Sequence, residues 1–328
     1  MKEFVNNIFS VTALTFSECA LQVFSYQYER NIVYKAWVDA LGIHPQSVKS
    51  INEIPFLPVS FFKSHAVVCG VFEPQVTFES SGTTNTVNSS HLVKDLEVYR
   101  KSFIKGFVNF YGDIQEWCII GLLPSYLERK GSSLVMMVDE LIKLSGNQES
   151  GFYLTEYEKL AAVLTRLENS KQKTLLIGVT FALLDFAEQF PMQLKHTTIM
   201  ETGGMKGRRK EMIRHELHSI LSQKLGTEKI HSEYGMTELL SQGYSKGAGL
   251  FKSVPWMKIL LRDEEDPLTI KEEGRGLINV IDLANIYSCS FIATDDIGTL
   301  NNDGSFEVLG RFDNSDLRGC SLLVHEMS

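Results

Sequence analysis

Between Trp117 and Gly226 the chain alternates short apolar runs with stretches of helical periodicity, and this alternation restricts the fold more than any other feature. WCIIGLLP (117–124) and TLLIGVT (174–180) read as buried strands, and HTTIMETGG (196–204) reads as a strand entering a glycine turn. Between them, TEYEKLAAVLTRLENS (155–170), FALLDFAEQF (181–190) and KGRRKEMIRHELHSILSQKLG (206–226, closed by Gly226) have helical spacing, while SSLVMMVDELI (132–142) reads as a strand or the start of a helix. Such alternation predicts an α/β fold built on layered, mostly parallel sheet with helices packed against it. From about Gly243 the helices fade, and KILLRD, GLINVIDLA, SFIATDDIGTL and SFEVLGRF read as shorter strands of a β-rich region.

Upstream, Phe16, Ala20, Val23, Phe24, Val33, Trp37 and Val38 recur at helical spacing. Residues 54–74, with their prolines, read as extended, VTFESSGTT as a strand running into a tight turn, and Leu92 to Phe110 as a helix. The expected organisation is an N-terminal helical segment over 1–75 packed on the core, an α/β core over 76–242, and a β-rich subdomain over 243–328.

Composition removes several function classes. With 44% hydrophobic and 22% charged residues in 328, the chain has ordinary globular values and room for a packed core. Its 32 basic against 40 acidic residues give −8, which provides no broad positive field for a nucleic-acid backbone, although a small anion needs only a local site. The five cysteines are scattered and lack CxxC spacing, so a reducing cytoplasm is expected rather than a disulfide framework or zinc knuckle. The most apolar segment, Leu175 to Leu184, is about half the ~20 residues that span a bilayer, so neither a membrane span nor a signal peptide is expected. A Walker phosphate loop, a GxGxxG fingerprint, a GxSxG elbow and an HExxH helix are all missing. His215 and His218 share a helical face without an obvious further metal ligand.

Four short elements carry chemistry. Ser80-Ser81-Gly82-Thr83-Thr84 gathers hydroxyls and backbone amides that suit phosphate oxygens, though the same residues also make ordinary surface turns. Tyr234-Gly235-Met236-Thr237-Glu238 combines an aromatic for stacking, a hydroxyl for phosphate and a carboxylate for magnesium. Thr294-Asp295-Asp296-Ile297-Gly298 offers carboxylates for a ribose diol, and Gly310-Arg311-Phe312-Asp313 offers an arginine for ribose or phosphate.

In this order the four elements resemble the adenylate-forming superfamily of acyl-CoA synthetases, luciferases and adenylation domains, from about Phe78 to Gly319. The resemblance implies ATP and Mg²⁺ as ligands. Ser80, Ser81, Gly82, Thr83 and Thr84 would cradle phosphates, Tyr234 and Gly235 would line the adenine pocket, Thr237 would contact phosphate, and Glu238 would bind Mg²⁺. Asp296 and Arg311 would hold the ribose, and Asp313 would sit at a hinge. Asp295 stands where that superfamily's TGD motif has glycine, so either aspartate could serve the ribose.

The chain ends nine residues after Gly319, where ordinary members continue into a domain carrying a catalytic lysine. With Glu201-Thr202-Gly203-Gly204-Met205-Lys206-Gly207-Arg208 and the tail from Arg318 to Val324, this resembles the LuxE-like acyl-protein synthetase branch. Members of that branch activate a fatty acid and pass the acyl group to a cysteine near their own C-terminus, which implies Cys320 here, a fatty-acid substrate and an acyl reductase partner. Lys206 or Arg208 would supply positive charge at the α phosphate, or lie on a solvated helix start. The alternatives are a ligase delivering acyl or aryl groups to coenzyme A or a carrier protein, and a nucleotide-binding subunit without catalysis. Oligomeric state and chain-length preference are not written in these motifs.

Overall fold

The computed structural model describes residues 5, 7–80, 87–123, 131–203 and 212–312. Two helices, Phe16–Arg30 and Ile32–Ala40, lie early in the chain and turn at Asn31, whose side chain caps the second by accepting from the Tyr34 amide. A short strand, β1 (Leu57–Pro58), and one helical turn, Phe61–Ser64, follow where the prolines of 54–74 suggest extended chain alone. The strands β2 (Val76–Glu79) and β3 (Ser90–Val93) form an antiparallel hairpin separate from the main sheet. The helix expected from Leu92 starts at Leu96, because Ser90 to Val93 pair with β2 and Asp95 caps the helix by accepting from the Glu97 amide.

The alternating region then delivers β4 (Cys118–Leu122), β5 (Gly151–Phe152), β6 (Thr174–Gly178), β7 (Thr197–Glu201) and β8 (Ile230–Tyr234). They are parallel, in the order β5-β4-β6-β7-β8. Every residue of β4 and β6 is buried, as the unbroken apolar runs require of strands covered on both faces. The segment at 132–142 resolves as the helix Ser133–Ser145, capped by Ser132 and closed by left-handed Gly146. The last crossover helix begins at Arg214, with Met212 and Ile213 still outside it.

Beyond β8 the sheet continues as antiparallel strands: β9 (Gly243–Ser245), β10 (Phe251–Ser253), β11 (Met257–Arg262), β12 (Ile270–Lys271), β13 (Gly274–Asp282), β14 (Phe291–Leu300) and β15 (Phe306–Arg311). Among the described residues this makes one thirteen-stranded sheet, ordered β12-β11-β13-β14-β15-β10-β9-β8-β7-β6-β4-β5, with β1 added to β14 in parallel. The α/β reading with parallel strands and helices therefore holds for the first part of the sheet, and the β-rich reading for the second. Among the described residues, no helix is long and apolar enough to cross a membrane.

The two kinds of sheet meet at β8 and β9, joined by the loop Gly235 to Gln242. Asp282, fully buried at the end of β13, fixes that loop. Its Oδ2 accepts from the amides of Leu240 and Ser241 at 2.8 and 2.9 Å, and its Oδ1 from the Ser241 hydroxyl and the Ala284 amide at 2.6 and 3.0 Å. Asn285 Nδ2 donates to the Glu238 carbonyl at 2.7 Å, and Gln27 of the first helix donates to the Asn285 carbonyl at 2.9 Å. The first helix is thus tied to the loop through Asn285.

Both carboxylate oxygens of Asp282 face donors, so Asp282→Asn places an amide N–H against two of them whichever way it turns. We expect a loss of about 2–3 kcal/mol in urea unfolding, from buried donors left without an acceptor. An Asn variant as stable as wild type would show that this loop is held by other contacts.

Candidate active site

The carboxyl ends of the parallel strands form one row, with Leu122, Gly178, Glu201 and Ser232 in register across β4, β6, β7 and β8. Ligand sites of open α/β sheets form at such ends, where neighbouring connections leave a crevice. Tyr234 closes β8 there. Its ring packs edge-on against Phe306 and Phe251, and its hydroxyl donates to Asp296 Oδ2 at 2.8 Å. Arg311, the register partner of Asp296 across β14 and β15, donates from Nε to Asp296 Oδ1 at 3.3 Å. Three residues from separate motifs and separate strands therefore meet at one carboxylate.

The pleat separates the two adjacent aspartates. Asp296 is 6% exposed and lies on the side of Tyr234, whereas Asp295 is exposed, because successive strand residues face opposite ways. The geometry sets Asp296, with acceptor capacity beyond its two donors, in the enclosed site. Arg311 keeps its side chain 61% exposed, so its remaining guanidinium donors stay accessible.

Gly235 has a steric reason. A Cβ there would collide with Glu233 Oε1, so any larger residue would displace that carboxyl. In the same loop, Glu238 is buried and its carboxyl is pushed above its ordinary range by burial, against the opposing pull of a hydrogen bond from Ser89 and the charges of Arg311 and Lys63. Thr237 is half-buried, and its carbonyl accepts from His91 Nδ1 at 3.0 Å. Ser80 stands at the base of the β2–β3 loop: its amide donates to the Ser89 carbonyl at 3.0 Å, and its Oγ accepts from the Ser89 amide at 2.8 Å. That use leaves the Ser80 O–H hydrogen for another acceptor. Ser81, Gly82, Thr83, Thr84, Lys206, Arg208, Asp313 and Cys320 lie outside the described residues.

The structure builds a polar group around Glu201, which the sequence brought in only as the first residue of the 201–208 motif. Glu201, at the end of β7, is 3% exposed and accepts from the Gly203 amide at 2.8 Å. Arg214 Nε lies 3.4 Å and His218 Nε2 3.6 Å from its Oε1. Burial works to raise this carboxyl, but His218, Arg214, Ser232 and the Gly203 amide outweigh it and hold the group below its usual range. His218 therefore faces Glu201 while His215, on the same helix, is exposed. Among the described residues no group of three or more His, Cys, Asp or Glu is placed to hold a metal ion. An acid two residues before the pair Gly203-Gly204 was the available signal.

Glu233 points to the other face of β8, opposite Tyr244 on β9, and its carboxyl is pushed up to about 8 by burial and by the Glu201 charge. Its folded value lies above the unfolded one of 4.5, so the native state keeps a proton that the unfolded chain releases. Stability is then present below pH 4.5 and is lost as pH rises toward 8. Glu233→Gln keeps the shape and removes that loss. We expect its stability relative to wild type to grow by on the order of 2 kcal/mol between pH 5 and pH 9 in chemical denaturation. A difference that stays flat with pH would contradict this environment for Glu233.

The sheet, half parallel and half antiparallel with a motif loop at the seam, is the core fold of adenylate-forming enzymes. ATP-bound MatB from Rhodopseudomonas palustris superposes with a TM-score of 0.56 at 16% identity, over 74% of this chain and 49% of its own. This chain therefore spans about half the length of that structure. Within that class, the profile of the family described as "Acyl-protein synthetase, LuxE" matches residues 14–327, and the chain belongs to that family. The long-chain-fatty-acid–luciferin-component ligase of Aliivibrio fischeri is 24% identical over 332 residues, covering 92% of this chain and 85% of the relative. The protein of the same name from Vibrio harveyi is 23% identical over 333 residues with the same coverage.

Proposed function

We propose that this protein activates a long-chain fatty acid with ATP and carries the acyl group as a thioester on Cys320. The observation that supports this most is the meeting of Tyr234, Asp296 and Arg311 at one buried carboxylate beside the Glu238 loop. Family membership and the fatty-acid ligases among its relatives point to the same chemistry.

In this reading the fatty-acid carboxylate oxygen attacks the α phosphorus of ATP. The bond from that phosphorus to the bridging oxygen breaks, pyrophosphate leaves, and acyl-AMP remains. Asp296 accepts from the ribose hydroxyls, held in place by Tyr234 and Arg311, and the Arg311 donors that face solvent add positive charge. The chain's part is positioning and charge complementarity, the main levers for phosphoryl and nucleotidyl transfer. Glu238 fits a magnesium ion that arrives with the nucleotide, since this cation commonly takes one or two protein carboxylates and completes its shell with phosphates and water. Magnesium there would neutralise phosphate charge.

The Cys320 thiolate then attacks the acyl carbonyl carbon, the carbon–oxygen bond to phosphate breaks, and AMP leaves. The other cysteines are poor candidates for this step. Burial pushes Cys69 up to about 12 and Cys118 to about 11, and it also raises Cys19 and Cys289. All four have little thiolate near neutrality. The product thioester is at the oxidation level an acyl reductase would consume, so a reductase is the partner that suits this role.

Exchange of labelled pyrophosphate into ATP, dependent on added fatty acid, tests the activation step. We expect wild-type exchange, a rise of about tenfold or more in the ATP requirement for Asp296→Ala, and a change within about twofold for Asp295→Ala. No exchange with acids of any length would refute the activation reading. The reverse ranking of the two variants would place the ribose on the exposed face of β14.

A further inference from the structure

The β2–β3 hairpin is not a member of the main sheet, yet it carries Ser80 on one side of the expected phosphate loop and Ser89 on the other. It must be held at a fixed distance from Thr237 and Glu238 if one triphosphate is to touch both. Two polar links cross that gap. The Ser89 hydroxyl lies against the Glu238 carboxyl and opposes its upward shift, and His91 Nδ1 lies 3.0 Å from the Thr237 carbonyl.

His91 is 1% exposed, sits opposite Phe78 in the hairpin register, and meets Phe62 edge-on at 5.7 Å. A carbonyl only accepts, so Nδ1 carries the hydrogen. Burial lowers the ring's proton affinity to about 4, and the ring stays neutral at working pH. A neutral ring fixed by packing on one side and by one hydrogen bond on the other makes a rigid spacer with no charge of its own to disturb the phosphates.

We propose that His91 is a positioning residue of the adenylation site: its bond to the Thr237 carbonyl sets the hairpin that carries Ser80 against the loop that carries Thr237 and Glu238, so that both bind one triphosphate. The proposal rests on the adenylation reading for its catalytic consequence, but the docking of the hairpin is measurable without substrate.

Two variants and two measurements decide it. His91→Leu keeps bulk and removes the donor, while His91→Asn keeps a donor near the position of Nδ1. In His91→Leu we expect kcat/KM for MgATP in pyrophosphate exchange to fall about tenfold or more, with the fatty-acid KM within about twofold, and His91→Asn to recover to within about threefold of wild type. Without ligands, amide hydrogen exchange in 76–80 and 89–93 should quicken about tenfold in the Leu variant and return toward wild type in the Asn variant. A Leu variant with protected hairpin amides and an unchanged MgATP requirement would overturn the proposal. So would an Asn variant as impaired as Leu in both readouts. If wild type shows no exchange activity, the adenylation reading fails on its own, and the substrate-free hydrogen exchange still decides whether His91 docks the hairpin.

Discussion

The Asp282 carboxylate takes four hydrogen bonds, three of them from the loop that joins the parallel strands to the antiparallel ones. Taking that carboxyl out of water raises it to about 6, so the bonds must offset a real cost of burial. They do so with good geometry and with support behind them. The Ser241 hydroxyl that donates to Asp282 lies 3.0 Å from the Ser102 hydroxyl and accepts from Trp256 Nε1, also at 3.0 Å. A loop carrying Thr237 and Glu238 could not hold a ligand geometry if its backbone were free. The polar network below it fixes the backbone and leaves the side chains of the preceding motif for chemistry.

This arrangement also accounts for the way distant strands reach one point. β8 is the last parallel strand, and β9, β10 and β15 stand between it and β14 in the sheet order, so the sheet must curl to bring Tyr234 to Asp296. It does so across a floor of Phe251 and Phe306, which stack on each other at 5.4 Å and meet the tyrosine ring edge-on. An apolar floor under a Tyr–Asp–Arg contact lowers the local dielectric and strengthens the bonds to the carboxylate. Gly235, directly after the tyrosine, gives up its side-chain space to Glu233, so the two faces of the strand are built together.

Much of the architecture was legible because buried parallel strands leave unbroken apolar runs, as in Cys118–Leu122 and Thr174–Gly178. The motif residues were legible as types: an aromatic, a hydroxyl, carboxylates and an arginine in a characteristic order. Their pairing was not. The contact between Tyr234 and Asp296 depends on strand order, and the choice of Asp296 over Asp295 depends on the pleat, neither of which composition records. The start of the helix at Leu96 was misplaced because SHLV pairs with VTFE, a long-range preference that overrides local periodicity. His91 and Asp282 escaped notice for a related reason. Each is a single polar residue bonded to the distant 237–241 stretch of chain, and only burial distinguishes it from a solvated one.

The central claim is that activation and capture are separate steps, the first carried by the Tyr234–Asp296–Glu238 region and the second by a thiolate outside it. The most direct measurement is intact-mass and peptide mapping after incubation with MgATP and a long-chain fatty acid, comparing wild type with Cys320→Ser. The account predicts one acyl group on wild type, released by hydroxylamine and mapped to Cys320, and none on the Ser variant, whose pyrophosphate exchange persists because a hydroxyl is essentially un-ionised near neutrality. An acyl group on Cys19, Cys69, Cys118 or Cys289, or an unmodified wild type that still exchanges pyrophosphate, would contradict it.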